Sequence, residues 1–249
     1  MAEMNVKSAV KYQIWEFKRP IAIYYFIIYM VYIALTLLFN VFSDGMDGGV
    51  NGIDVATIIF LFVCGLNSFT DSFRMFLQNG LSRKTLFKSF LICTVAVVTF
   101  MVAADFVTRT LFGILTNYSS LYSELYVPWY LGGAHSAMRI FEEFLWTMSV
   151  YGLASMMGFF LSTLYYNMGK AVKLLVSIGV PVSLFILLPM IDSTFTNGAI
   201  FIALGKFFRF ILGFQNGANP YFSIVSFLMI AVVFGALSYL MVRKAVVKE

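Results

Sequence analysis

Six apolar stretches, each long enough to cross a bilayer, leave this chain few ways to fold: Ile21–Phe42, Val55–Leu77, Leu86–Val107, Ile140–Tyr166, Ala171–Met190 and Tyr221–Val242. A spanning helix needs about 20 apolar residues. Inside a bilayer each backbone amide must find its partner within its own segment, which makes helices the default. Of the 249 residues 61% are hydrophobic and 12% charged, against about 25% charged in an ordinary soluble domain. The spans and their loops take up the length, leaving no room for a soluble catalytic domain. The predicted fold is an all-α integral membrane protein, one transmembrane domain over 1–249. It consists of an interfacial leader (1–20), a six-span bundle (21–242) and a cytoplasmic tail (243–249).

Charge sets the orientation. With both termini on one side, thirteen of the seventeen Lys and Arg residues fall on that side. They sit in the leader, around the joint between the second and third spans, at Lys170 and Lys173, and in the tail. Such a bias marks the cytoplasmic face. The net charge of +5 therefore reflects membrane orientation, and no nucleic-acid partner is expected. No cleavable signal peptide is expected either, because the first apolar run is too long for a signal core.

In the leader, Val6, Val10, Ile14 and Phe17 recur at helical spacing with Lys7, Lys11 and Lys18 along their edge. That pattern predicts a helix in the headgroup layer, with Pro20 opening the first span, where its missing N–H is harmless. Ser43–Asp54 is an acidic, glycine-rich outer loop. Arg109–Arg139 is a second outer loop, rich in tyrosine and suited to the membrane interface. Residues 198–213 place Ile200, Phe201, Leu204, Phe207 and Phe208 on one helical side and Lys206 and Arg209 on the other. At about 24 Å this segment is too short to cross, so a re-entrant or interfacial helical hairpin is predicted between the fifth and sixth spans. Pro181 is expected to kink the fifth span. Ala154 and Gly158, four apart, allow close helix approach in the fourth.

Chemistry is sparse. Gly169-Lys170 and Gly205-Lys206 lack the upstream glycine and the following Ser or Thr of a phosphate loop. The single histidine, His135, excludes zinc sites built on paired histidines. Cys64 and Cys93 lie inside spans and read as free, buried thiols. No catalytic, metal or cofactor residue is assigned. The sharpest polar cluster is Arg139, Glu142 and Glu143 at the outer end of the fourth span. One-turn spacing allows an ion pair. A gate or cationic-cargo site and, last, a catalytic carboxylate pair are the other readings. Asp105 and Arg109 are expected to pair in the same way. Span centres without charge argue against a proton or sodium relay.

The joint itself reads Asn79-Gly80-Leu81-Ser82-Arg83-Lys84, a short basic turn between two spans. Together with the leader, the six spans and the outer helical segment, the run NGLSRKTLFKSF at 79–90 resembles the permease subunit of ABC-2 type ABC transporters. The resemblance covers nearly the whole chain and is most specific at the joint. It implies a multi-pass subunit of a bacterial cell membrane that pairs with a second copy or a related permease. Each copy would dock an ATP-binding cassette subunit that carries ATP and Mg. Asn79, Gly80, Leu81, Ser82, Arg83 and Lys84 would press into a groove of that ATPase while the leader braces it. Amphipathic cargo, peptide before lipid or drug, would pass between the copies along the second and fifth spans. The outer loop 109–139 is longer than the pattern requires. The alternatives are an ATP-independent secondary transporter or channel and, last, an intramembrane enzyme.

Overall fold

The computed structural model describes residues 6–42, 52–113, 118–129, 136–215 and 217–246. Among these residues there is no strand, and six helical segments are long and apolar enough to cross a membrane. They alternate in direction. α1 (Val6–Phe42) begins at the end of the bundle that carries the joint, α2 (Ile53–Asn67) begins at the far end, and α3 (Thr70–Gln78) returns the chain to the joint. α4 (Arg83–Gly113) climbs away again to α5 (Leu121–Tyr126), a single short turn of helix at the far end. α6 (Ser136–Asn167) descends, and α7 (Lys170–Val182) with α8 (Leu188–Ile191) climbs back. α9 (Ala199–Ile211) precedes α10 (Pro220–Lys244), which closes the bundle at the joint end.

Three departures from the predicted elements have physical causes. Pro20 lies inside α1 instead of opening a span, so leader and first span are one unbroken helix. Thirty-seven residues make it about 55 Å long, well over the roughly 30 Å hydrocarbon thickness. The second span is two helices. At Ser68 the amide turns back to the Gly65 carbonyl (3.3 Å) and the hydroxyl follows it (2.8 Å). This break swings Phe69 into the bundle, where it is fully buried and stacks on Phe73 at 4.8 Å. The polar run Asn67-Ser68-Phe69-Thr70-Asp71-Ser72 is the signal for that break. In the fifth span, Pro181 is followed by a π-helical turn over Ser183–Leu187, and a second π turn, Asp192–Thr196, follows Pro189. A proline frees the carbonyl four residues before it, and widening the turn is one way to absorb the mismatch.

The fourth span crosses the second at two glycines. A Cβ on Gly158 would stand 2.1 Å from the Phe62 carbonyl oxygen, and one on Gly65 would stand 2.3 Å from that of Ser155. The backbones therefore touch, as small residues permit between membrane helices. Ala154 is buried one turn away. Cys64 and Cys93 are free and buried.

Candidate functional site

The joint is built by local rules. At the end of α3 the Gly80 amide donates to Leu77 O (3.0 Å) and the Leu81 amide to Phe76 O (2.9 Å). These bonds form a Schellman closure with glycine in the left-handed region at φ 75°. Leu81 and Phe76, the pair such a closure brings together, are both buried. Asn79 returns its side-chain amide to Met75 O at 2.8 Å. Ser82 then starts α4: its hydroxyl accepts from the Thr85 amide (3.1 Å) and its carbonyl from Leu86 (3.0 Å).

The two basic residues part company. Arg83 is half-buried and its guanidinium donates to the Arg243 carbonyl at 2.6 Å, holding the last turn of α10. Lys84 is exposed. Only Lys84 of the pair thus presents its charge outward from the joint.

Behind the joint lies an aromatic cluster that the hydropathy pattern does not single out. Phe69, Phe73 and Phe76 pack with Leu81, Leu86, Phe90, Phe159 and Tyr166. Phe90 stacks on Phe159 with ring centres 3.7 Å apart, and Tyr166 meets Phe69 edge-on at 5.2 Å. Ala9 of the leader and Val242 and Ala245 near the other terminus complete the cluster. Tyr12 adds an edge contact to Phe76 at 5.9 Å, and the Tyr166 hydroxyl donates to Val246 O at 3.1 Å. The leader, the joint and the ends of the fourth and sixth spans therefore share one packed body. Its trace in the sequence is Phe69, Phe73 and Phe76 at helical spacing, hidden inside an apolar run long enough to read as one straight span.

At the far end the polar residues meet different partners from those predicted. Glu143 pairs with Arg109, not with Arg139, and also accepts from the Ser120 hydroxyl. Arg139, half-buried, makes no ion pair with either carboxylate. Glu142 accepts from Tyr221 (2.6 Å) and Tyr122 (3.1 Å). Asp105 likewise does not reach Arg109; it accepts from Tyr151 (2.6 Å) and Tyr25 (2.8 Å). Sequence spacing favours neighbours on one helix, whereas the packed bundle supplies closer donors from other helices.

These contacts seat the segment 118–129 between the third and fourth spans. Its α5 is capped by Ser120 (3.2 Å to the Ser123 amide), and Asp54 accepts from the Leu121 amide at 2.6 Å. Tyr126 lies 2.9 Å from both the Leu212 carbonyl and the Ser223 hydroxyl, and Trp146 donates to the same hydroxyl at 2.8 Å. Burial pushes the Tyr126 hydroxyl above its ordinary pKa, so it stays a neutral donor. Residues 118–129 thus have a structural role, tying spans two, four and six together at their far ends.

After Asp192, the left-handed pair Asn197 (φ 49°) and Gly198 (φ 87°) turns the chain into α9. The Asp192 carboxylate accepts from the Ile200 and Phe201 amides (2.8 and 3.3 Å), capping α9. No group of three His, Cys, Asp or Glu residues among the described ones could hold a metal. His135 and the Asp71 side chain lie outside the described residues. Searches of protein families, curated proteins and solved structures return no match to this chain.

Proposed function

We propose that this chain is the transmembrane subunit of an ATP-driven exporter of the ABC-2 kind. It would move amphipathic cargo, peptide first and lipid or drug next, with ATP hydrolysed on a separate cassette subunit. The observation that carries the reading is the joint's attachment. A force on residues 79–84 passes through Leu81 and Phe76 into a cluster that grips the leader, the fourth span and the sixth. A rigid turn on such a body suits a handle better than a passive loop does, since packed interiors transmit displacement.

In this reading the joint faces the cytoplasm with both termini, and the leader, the continuation of α1 beyond the first span, braces the ATPase. The turn and helix over 192–211 form the outer hairpin, and a second permease copy completes the pathway. Arg109, Glu142 and Glu143 act as the outer clasp, which leaves Arg139 for contact with water or headgroups.

The test is co-production with candidate cassette subunits. The chain alone should hydrolyse no ATP and should copurify with a cassette subunit in equal number. Arg83 secures α10, so reversing it would also loosen the fold; Lys84→Glu is the cleaner variant. It should leave assembly intact and lower cargo transport about tenfold or more, the weight of roughly 1.4 kcal/mol. Transport unchanged by Lys84→Glu would overturn the coupling role. Ion-driven solute flux through the chain alone, in liposomes, would replace the reading with a secondary transporter or channel.

A further inference from the structure

A groove of about 640 Å³ runs between α4, α6 and α10, within the size range of pockets that hold a small ligand. Its walls are Leu91, Val98, Leu145, Met156 and Ile224 among others, and its floor is open because Gly152 and Gly235 carry no side chain there. The Ser149 hydroxyl in the wall donates to the Trp146 carbonyl, so its proton is already used within its own helix. Val95, Leu228 and Val232 on its rim are exposed, Val232 by 70%, so the groove opens sideways where the bilayer would be.

The two ends differ. The far end is closed by the Trp146, Tyr122 and Tyr126 cluster around Ile224. At the joint end stand Phe87 and Tyr239, their rings 5.2 Å apart, and Arg243 lies 5.9 Å over the Tyr239 ring. The groove-lining face of α4, Phe87-Leu91-Val98, continues at helical spacing back to Lys84, and Lys88 falls on the same side as Leu91 and Val95. Arg243, reaching over the Tyr239 ring, and Lys88, on the same side of α4 as Leu91 and Val95, flank this end, and both are exposed. From Ile224 to Tyr239 a helix advances about 22 Å, a depth that takes one extended acyl chain.

We infer that this groove binds one anionic phospholipid from the joint-side leaflet, with an acyl chain between α4, α6 and α10 and the headgroup against Lys88 and Arg243. Charge complementarity selects the occupant. A dry, side-opening slot takes a chain, two cations at its joint-side mouth take an anionic headgroup, and basic pockets between spans recognise such headgroups. Zwitterionic lipid fills the same slot without the charge term. The assignment rests on the groove and its mouth, and holds whether or not the chain docks an ATPase.

Trp146, beside the closed end, is a built-in reporter. With Trp15→Phe and Trp129→Phe it becomes the sole tryptophan. The purified chain is reconstituted in phosphatidylcholine vesicles containing increasing fractions of phosphatidylglycerol brominated near the chain terminus, or of phosphatidylcholine brominated likewise. The anionic lipid should quench Trp146 saturably at a several-fold lower fraction than the zwitterionic one. Lys88→Gln and Arg243→Gln should each raise that fraction about five-fold. Gly152→Leu with Gly235→Leu should fill the slot and abolish the saturable quenching, circular dichroism verifying the helices. Equal quenching by the two lipids, or quenching that survives in the filled variant, would overturn the assignment. So would protection of Trp146 from both lipids, the mark of a second protein copy seated in the groove.

Discussion

Glu143 is held by two groups from outside its own helix, the Arg109 guanidinium and the Ser120 hydroxyl, while Arg139, one turn before it, has neither carboxylate. Truncating Arg109 strands a carboxylate that is 8% exposed; truncating Arg139 strands no carboxylate. Because the Arg109 side chain is itself 31% exposed, solvent screens the pair and the loss falls short of a fully buried one. Arg109→Ala should therefore lower stability by about 1–2 kcal/mol and Arg139→Ala should change it little. Reversible unfolding in mild detergent measures both, and an equal loss from the two variants would restore the same-helix pairing. The glycines offer a sharper contrast. Gly158→Ala pushes a methyl into the Phe62 carbonyl, whereas Gly152→Ala meets nothing within 4 Å. The first should cost about 3 kcal/mol or more and the second close to nothing, readable as the difference in melting temperature between the two.

At the scale of elements, the joint depends on Gly80 for its conformation and on the Phe76 and Leu81 pair for its rigidity. Gly80→Ala forces a Cβ into the left-handed region at φ 75° and should cost about 1 kcal/mol. Phe76→Ala empties a fully buried site and should cost about 3–5 kcal/mol. Amide exchange should separate them. Gly80→Ala should raise exchange only around the turn, while Phe76→Ala should also expose the leader near Ala9 and the end of α10. Confinement of both effects to the turn would deny that the cluster is one body. The apolar runs at 86–107 and 221–242 are legible because hydropathy over twenty residues is a strong, local signal, and α4 and α10 extend them by only a few residues. The turn at 79–84 is legible because glycine, serine and the basic pair act within a few residues of one another. The break at Ser68 and Phe69 escapes a twenty-residue hydropathy average, because Phe69, Phe73 and Phe76 raise that average over the polar residues at 67–72 that signal it. The partners of Asp105 escape it for a related reason. Its donors, Tyr25 and Tyr151, lie 80 and 46 residues away along the chain, and no local spacing reports such distances.

Across the whole molecule the spans are unequally covered. Between 33% and 44% of the most apolar windows of spans two, three and four is buried within the chain, but none of the window in Lys170–Thr196 is. Leu175 and Phe185 are 71% and 80% exposed. Lipid solvates such a helix readily, yet each of its two prolines removes a backbone N–H donor, and neighbouring helices are one means, beside the π turns, of accommodating that loss in a membrane. The proposed second copy supplies that neighbour and would set the fifth span against the pathway. With Cys64→Ser and Cys93→Ser removing the native thiols, single cysteines at Leu175 and Phe185 should cross-link between copies in native membranes. A cysteine at Val232, on the rim of the lipid groove, should not. Cross-linking at Val232 with none on the fifth span would place the partner on the opposite side of the bundle. It would also make the groove an interface, so one experiment weighs the dimer and the lipid site against each other.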